Sequence, residues 1–402
     1  MGQGFPLKPC ACGPVQSPSA CVSLEALQTR AICCGSFPGC RGHCCFELSF
    51  ARCLFLPLFS PWGLLVGGDF PLAWQGHTGI VSVALLPLQL FTDGITNKLV
   101  ACYTDEDMAD AVLVRVYGRK TELFVDRETE LRNFQVLRAH GCAPDLYCAF
   151  HNGLCYQFLP GIALGPDHVR DPHIFRLVAQ EMARVHAIHA NGSLPKPILW
   201  QKLHKYLTLV KTDLSPKVSN PSLQQDVPSL EMLEEELAWM KETLSQLGSP
   251  VVLCHNDLLC KNIIYDGTQE HVRFIDYEYT GYNYQAFDIG NHFNEFAGVK
   301  EVDYRLYPSK ETQLQWLHSY LQAYKQLTQG DGGGTGVSEE ELEALYVQVN
   351  KFSLASHFLW ACWGLIQDKY STIDFNFLRY AKLRFKQYFK MKPVVTALQI
   401  SK

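Results

Sequence analysis

The chain has 402 residues, room for roughly two or three folding units or one two-lobed enzyme, and its 47% apolar and 19% charged residues are ordinary for a globular protein. A net charge of -5 supplies no basic field for nucleic acid or an anionic membrane surface, so no nucleic-acid partner is expected. No apolar run reaches the roughly 18 residues of a transmembrane helix, and the N-terminus lacks the charged start and continuous apolar core of a secretory signal. Met1-Gly2 opens a myristoylation motif that Pro6 breaks.

Residues 1–78 are rich in Cys, Pro and Gly and show no sustained helical or strand period, which predicts an irregular leader. Nine of the 16 cysteines lie here, between Cys10 and Cys53. Cys40, His43, Cys44 and Cys45 are close together but match no paired Cys-x-x-Cys zinc spacing, so no metal site is expected. The other cysteines are scattered singly from Cys102 to Cys362, the usage of a reduced cytoplasmic enzyme. Ile80–Leu86 reads as a strand that Pro87 restricts to an edge.

Strands are predicted at Lys98–Tyr103 and Val112–Tyr117, a helix at Asp126–His140, and strands at Leu146–Phe150 and Leu154–Phe158. These make residues 79–160 a small β-rich lobe. Residues 161–402 read as a larger helical lobe. Its helices are Phe175–Ala190, Leu230–Leu247, Glu311–Leu327 and a long one opened by a Ser338/Glu341 capping box and running to about Gln367. Asp213–Ser229, polar and carrying three prolines, reads as a loop, and so does Gly330–Gly334. The fold class is α+β with two lobes.

The chemistry concentrates between Val251 and Glu295. Val251–Leu253 suits a buried strand, and Ile263–Tyr265 and Val272–Ile275 read as a hairpin turning at Asp266-Gly267. That hairpin brings Asn262 to the start of one strand and Asp276 to the end of the other, with Asp257 on the preceding loop. An Asp, an Asn five residues later and a second Asp closing the hairpin is the layout of a kinase site: Asp257 as base, Asn262 and Asp276 as oxygen ligands for Mg²⁺. Turn-forming Asx residues explain any one of the three, but poorly all three at this spacing.

Other residues gain meaning beside that segment. Gly94, Thr96 and Asn97 lie between two strand candidates, where backbone N–H groups can approach phosphate, although an Asp-Gly pair alone is more often a hairpin turn. Arg115 is a lone cation in an apolar strand, suited to nucleotide phosphates with Glu130 as its partner and Glu128 next. Its plainer alternative is a solvent-side Arg. Trp360 and Trp363 share a helix face and can hold an organic cation, or can simply be core aromatics. Asp288 and Glu295, in a tyrosine-rich segment, are candidate acids of an ammonium pocket.

HNDLLCKNIIYD, IDYEYTGYNYQAFDIGNHFNEF and FTDGITNKLV together resemble the choline/ethanolamine kinase family from about Phe91 to about Pro393. The Leu258-Leu259-Cys260 stretch is nearer the ethanolamine than the choline branch. The resemblance implies a protein-kinase-like fold and ATP- and Mg²⁺-dependent phosphorylation of ethanolamine, the first step of phosphatidylethanolamine synthesis by the CDP-ethanolamine route, in a cytoplasmic monomer or homodimer. It assigns Asp257 as base, Asn262 and Asp276 as metal ligands, and Gly94, Thr96, Asn97, Arg115 and Glu130 to the nucleotide. It places Tyr279, Glu295, Trp360, Trp363, Phe375 and Tyr380 in the amine pocket. Residues before about 88 do not share it, so the first strand of the small lobe is expected to be replaced. A choline kinase of the same fold and a non-catalytic isoform acting by binding or oligomerising are the alternatives.

Overall fold

The computed structural model describes residues 74–76, 79–81, 88–91, 97–103, 111–118, 120–189, 195–218, 227–329 and 336–400. The leader expected over residues 1–78, its cysteines, Gly94, Thr96 and the loop Gly330–Gly334 lie wholly or almost wholly outside these.

Strands β1 (Trp74–Gly76) and β2 (Gly79–Val81) form a small antiparallel hairpin. The strand predicted over Ile80–Leu86 is thus seen only at its beginning. The edge of the small-lobe sheet is instead β3 (Leu88–Phe91), which starts directly after Pro87 and pairs with β4 (Lys98–Cys102) from Leu88↔Cys102 to Phe91↔Leu99. With β5 (Val112–Val116), β6 (Leu146–Phe150) and β7 (Gly153–Gln157) the sheet order is β3-β4-β5-β7-β6, all antiparallel. Between β5 and β6 runs α1 (Arg127–Ala139), capped by Asp126, whose side chain accepts from Thr129 N at 2.7 Å.

The large lobe begins with β8 (Ile162–Ala163), α2 (Pro172–His186), α3 (Leu199–Val218) and α4 (Leu230–Ser245). Pro172 sits at the first position of α2, with Asp171 as its cap, and this starts the helix a turn before the predicted Phe175. Helix α3 is absent from the sequence reading, and its last residues overturn the loop expected from Asp213. The helix is held tertiarily up to Val210: Leu199, Leu203, Tyr206, Leu207 and Val210 form one buried stripe on the core.

Next come β9 (Val251–Cys254), the predicted hairpin β10 (Ile263–Asp266) and β11 (His271–Phe274), and β12 (Gly281–Tyr284). β8 extends the hairpin to three strands, while β12 pairs with β9. The lobe is completed by α5 (Gln285–Glu295), α6 (Lys310–Gln329), α7 (Glu339–Tyr370) and α8 (Phe377–Thr396). The capping box at Ser338 and Glu341 is present in both directions. From Phe352 to Gln367 every residue of α7 is buried, so it forms the axis on which α3, α5 and α8 pack.

Gly290 lets α5 meet α7. A Cβ there would lie 2.6 Å from Val349 O and 3.1 Å from Ser353 N. Gly290→Ala is expected to destabilise the chain by about 1–3 kcal/mol, the cost of overpacking. An unchanged urea midpoint would show that the two helices part freely. Among the described residues no helix is long and apolar enough to cross a membrane.

Candidate active site

The loop after β9 is held by an acid from α5. Asp288, fully buried, accepts the backbone N–H of His255 at 2.9 Å and of Asn256 at 2.7 Å. His186 on α2 is hydrogen-bonded to the same carboxylate at 3.0 Å, and its other nitrogen to the hydroxyl of Tyr320 on α6 at 2.6 Å. Burial works against the charge of Asp288, but His186, His255 and the Asn256 N–H outweigh it and hold the carboxyl below its usual range. Asp288 was a sequence candidate for the ammonium pocket. It is instead a positioning residue, because both of its oxygens face the loop.

Asn256 takes a left-handed backbone, φ 67°. Its amide donates to the carbonyls of Tyr279 at 3.0 Å and Gly281 at 3.2 Å, and its oxygen accepts from Asn283 at 2.8 Å. The turn this makes delivers Asp257. Asn262 donates to the Asp257 carbonyl at 2.9 Å, so its Oδ1 is the side-chain oxygen open to a ligand. Ile275 O accepts from His255 at 2.9 Å, which ties the strand end before Asp276 to the same loop.

Arg115 on β5 pairs with Glu130 on α1 and with Asp276. Glu128, the second choice as its partner, is exposed. Arg127 extends the network to Glu130 at 2.7 Å and to Glu278 at 3.1 Å. Asn97 donates to Glu278 at 3.0 Å and accepts from Gly118 N at 3.2 Å, so its side chain ties the small lobe to the catalytic segment. Burial drives the Asp257 carboxyl well above its ordinary range, Asp276, Glu278 and Glu295 add to this, and Lys202 opposes it.

Asp257, Asn262, Asp276, Arg115 and Asn97 line one cavity of about 290 Å³, and Tyr279, Trp360, Trp363 and Tyr380 form its aromatic wall. The wall is cross-braced. Trp360 donates to Asn291 at 2.7 Å and Trp363 to the Tyr279 hydroxyl at 3.1 Å, while the Tyr279 and Trp360 rings meet edge-on, 5.4 Å apart. Phe375 packs on Tyr380 at 5.8 Å and does not itself line the cavity. Neither does Glu295: it is 1% exposed and ion-paired with Arg384, which also donates to the Tyr380 hydroxyl at 3.1 Å. Its second oxygen has no partner among the described residues. Gly94 and Thr96 lie outside the described residues.

Four participants escaped the sequence reading: Glu278, Arg384, Lys261 on the cavity wall, and Lys202 beside Tyr279. Glu278 had a signal, since it stands two residues after Asp276. Arg384 and Lys202 had none, because each lies in a Lys/Arg-containing helix where surface charge is the ordinary outcome.

The sequence model of the family described as choline/ethanolamine kinase matches residues 88–389, beginning at the first residue of β3. The chain is 69% identical over 312 residues to ethanolamine kinase 2 of Homo sapiens, covering 78% of each. It is 62% identical over 314 residues to ethanolamine kinase 1 of Mus musculus, covering 78% of this chain and 86% of that one. A solved Plasmodium vivax ethanolamine kinase superposes with a TM-score of 0.65 at 29% identity, over 75% of this chain and 82% of that one. The two-lobed, protein-kinase-like fold, the cavity between its acids and its aromatic wall, and these matches agree, and the chain belongs to the choline/ethanolamine kinase family.

Proposed function

We propose that this chain is an ethanolamine kinase, transferring the γ-phosphoryl group of ATP to the hydroxyl of ethanolamine and so making phosphoethanolamine for phospholipid synthesis. The observation that carries this reading is the single cavity in which Asp257, Asn262, Asp276 and Arg115 face Tyr279, Trp360, Trp363 and Tyr380. A phosphoryl acceptor needs a base and a charge clamp at one end, and an amino alcohol needs a cation-binding wall at the other. Relatives named ethanolamine kinase supply the substrate within that class.

In this reading Asp257 accepts the hydroxyl proton as the oxygen bonds to the γ-phosphorus and the bond to ADP breaks. Burial and neighbouring acids raise its affinity for that proton, which suits a base. Arg115, held by Glu130, is the cation for the nucleotide phosphates. The donor set fits Mg²⁺, a hard ion that takes oxygen ligands: the Asn262 amide oxygen and the Asp276 carboxylate would hold it, and when bound it would neutralise phosphate charge. Asn262→Ala and Asp276→Ala are each expected to raise the Mg²⁺ concentration for half-maximal rate, Asp276→Ala more because it removes charge. Superimposable Mg²⁺ titrations for parent and both variants would remove these two residues from the metal site.

The substrate is tested directly. Ethanolamine's primary ammonium donates up to three hydrogen bonds, and choline's quaternary ammonium donates none. The hydroxyls of Tyr279 and Tyr380 on the cavity wall can accept from the first and gain nothing from the second. The purified chain with ATP and Mg²⁺ is expected to phosphorylate ethanolamine in clear preference to choline. Equal kcat/KM for the two would move the reading to the choline side of the family.

A further inference from the structure

Lys202 lies on α3 beside the buried stripe of Leu199, Leu203 and Tyr206, and is itself half-buried. Its Nζ stands over the ring of Tyr279, 4.8 Å from the centroid, well within cation–π range. Tyr279 is the ring that ties the aromatic wall together: Trp360 meets it edge-on and Trp363 holds its hydroxyl. The ring has therefore little freedom to turn away from Lys202. Burial and Lys205 disfavour the ammonium, Asp257 and Glu278 support it, and the balance brings its pKa down to about 8. Lys202 is thus held at the meeting point of the acid cluster and the aromatic wall.

A second cation that approaches Tyr279 from the cavity draws on the same π electrons that this resident one already engages. The two kinds of amine substrate differ in how much they need it. A quaternary ammonium has no N–H and depends on ring faces, whereas a primary ammonium can be held through its hydrogen bonds. Protonated Lys202 also repels both, but the ligand whose attraction comes mainly from the rings loses the larger share of its binding.

We propose that Lys202 is a specificity-determining residue of this cavity: its ammonium engages the π electrons of Tyr279 and so selects a primary over a quaternary ammonium substrate. The inference rests on the reading of the cavity as an amine-kinase site. It assigns part of the exclusion of methylated amines to a residue outside the cavity lining.

The test is the ratio of kcat/KM for choline to kcat/KM for ethanolamine, measured on the full chain with ATP and Mg²⁺. Lys202→Met keeps the aliphatic bulk and removes the charge. It is expected to raise that ratio about tenfold, mainly through a lower KM for choline, the size of one buried cation–π contact returned to the ligand. Lys202→Arg keeps a cation on the ring and is expected to keep the parent ratio. Lys202→Gln, which suits a half-exposed position, gives the same reading as the Met variant if that variant does not fold. A ratio that stays within about twofold of the parent in both uncharged variants, or that falls, overturns the role of Lys202. A merely structural role would change both substrates together and leave the ratio in place. Failure of the parent chain to phosphorylate either amine would instead defeat the proposed function, so the two readings fail separately.

Discussion

Asp257→Asn lowers turnover by about 10²–10⁴-fold while leaving the fold and ATP binding in place. The substitution keeps the side chain's shape and removes only its ability to take a proton. The backbone around it is fixed from elsewhere: Asp288 holds the two preceding N–H groups, Asn256 bridges to the Tyr279 and Gly281 carbonyls, and Asn262 holds the Asp257 carbonyl. None of these bonds uses the Asp257 carboxylate. Replacing a buried carboxylate that three acids disfavour also relieves repulsion, so the melting temperature is expected to hold or rise. Turnover, nucleotide binding by calorimetry and thermal melting check the three parts. Parent-like turnover in the Asn variant would show that another group takes the proton.

Arg384→Met is expected to cost about 3–5 kcal/mol of stability, the usual loss when one member of a buried ion pair is removed. Arg384 and Glu295 are 2% and 1% exposed, so no solvent reaches the acid left behind. Burial already pushes the Glu295 carboxyl above its usual range, and Arg384 is what opposes this. In the variant Glu295 is expected to take up a proton, with loss of amine binding as well as stability, since Arg384 also holds the Tyr380 hydroxyl on the cavity wall. Pairing Arg384→Met with Glu295→Gln should recover part of the stability, because a neutral amide needs no proton uptake to stay buried. Urea denaturation of the single and double variants decides it, and additive losses would show that the two residues act independently.

The local elements of the catalytic segment were legible in the sequence because its signals are local. Apolar runs bounded by turn residues place β9, β10 and β11 within a residue or two, and the spacing of Asp257, Asn262 and Asp276 around that hairpin needs only the pairing of two adjacent strands. The capping box at Ser338 is likewise written in four consecutive residues. The same holds for Arg115, whose isolation in an apolar strand demands a partner wherever that strand is buried.

What the tertiary structure decided is how side chains distant in sequence divide the available partners. Asp288 and Glu295 are acids seven residues apart on one helix, alike to any reading of composition. Packing turns one toward the catalytic loop, where N–H groups take both oxygens, and the other toward Arg384, which takes one. Helix α3 is held by its apolar stripe from Leu199 to Val210, which the core buries, and it runs on past Asp213 where the local sequence favours a loop. Lys202 reaches Tyr279 only through that burial. Secondary structure follows short-range periodicity and turn chemistry, which one chain segment carries by itself. The charge state and partner of a buried group depend on desolvation and on neighbours from several segments, and these exist only once the helices have packed.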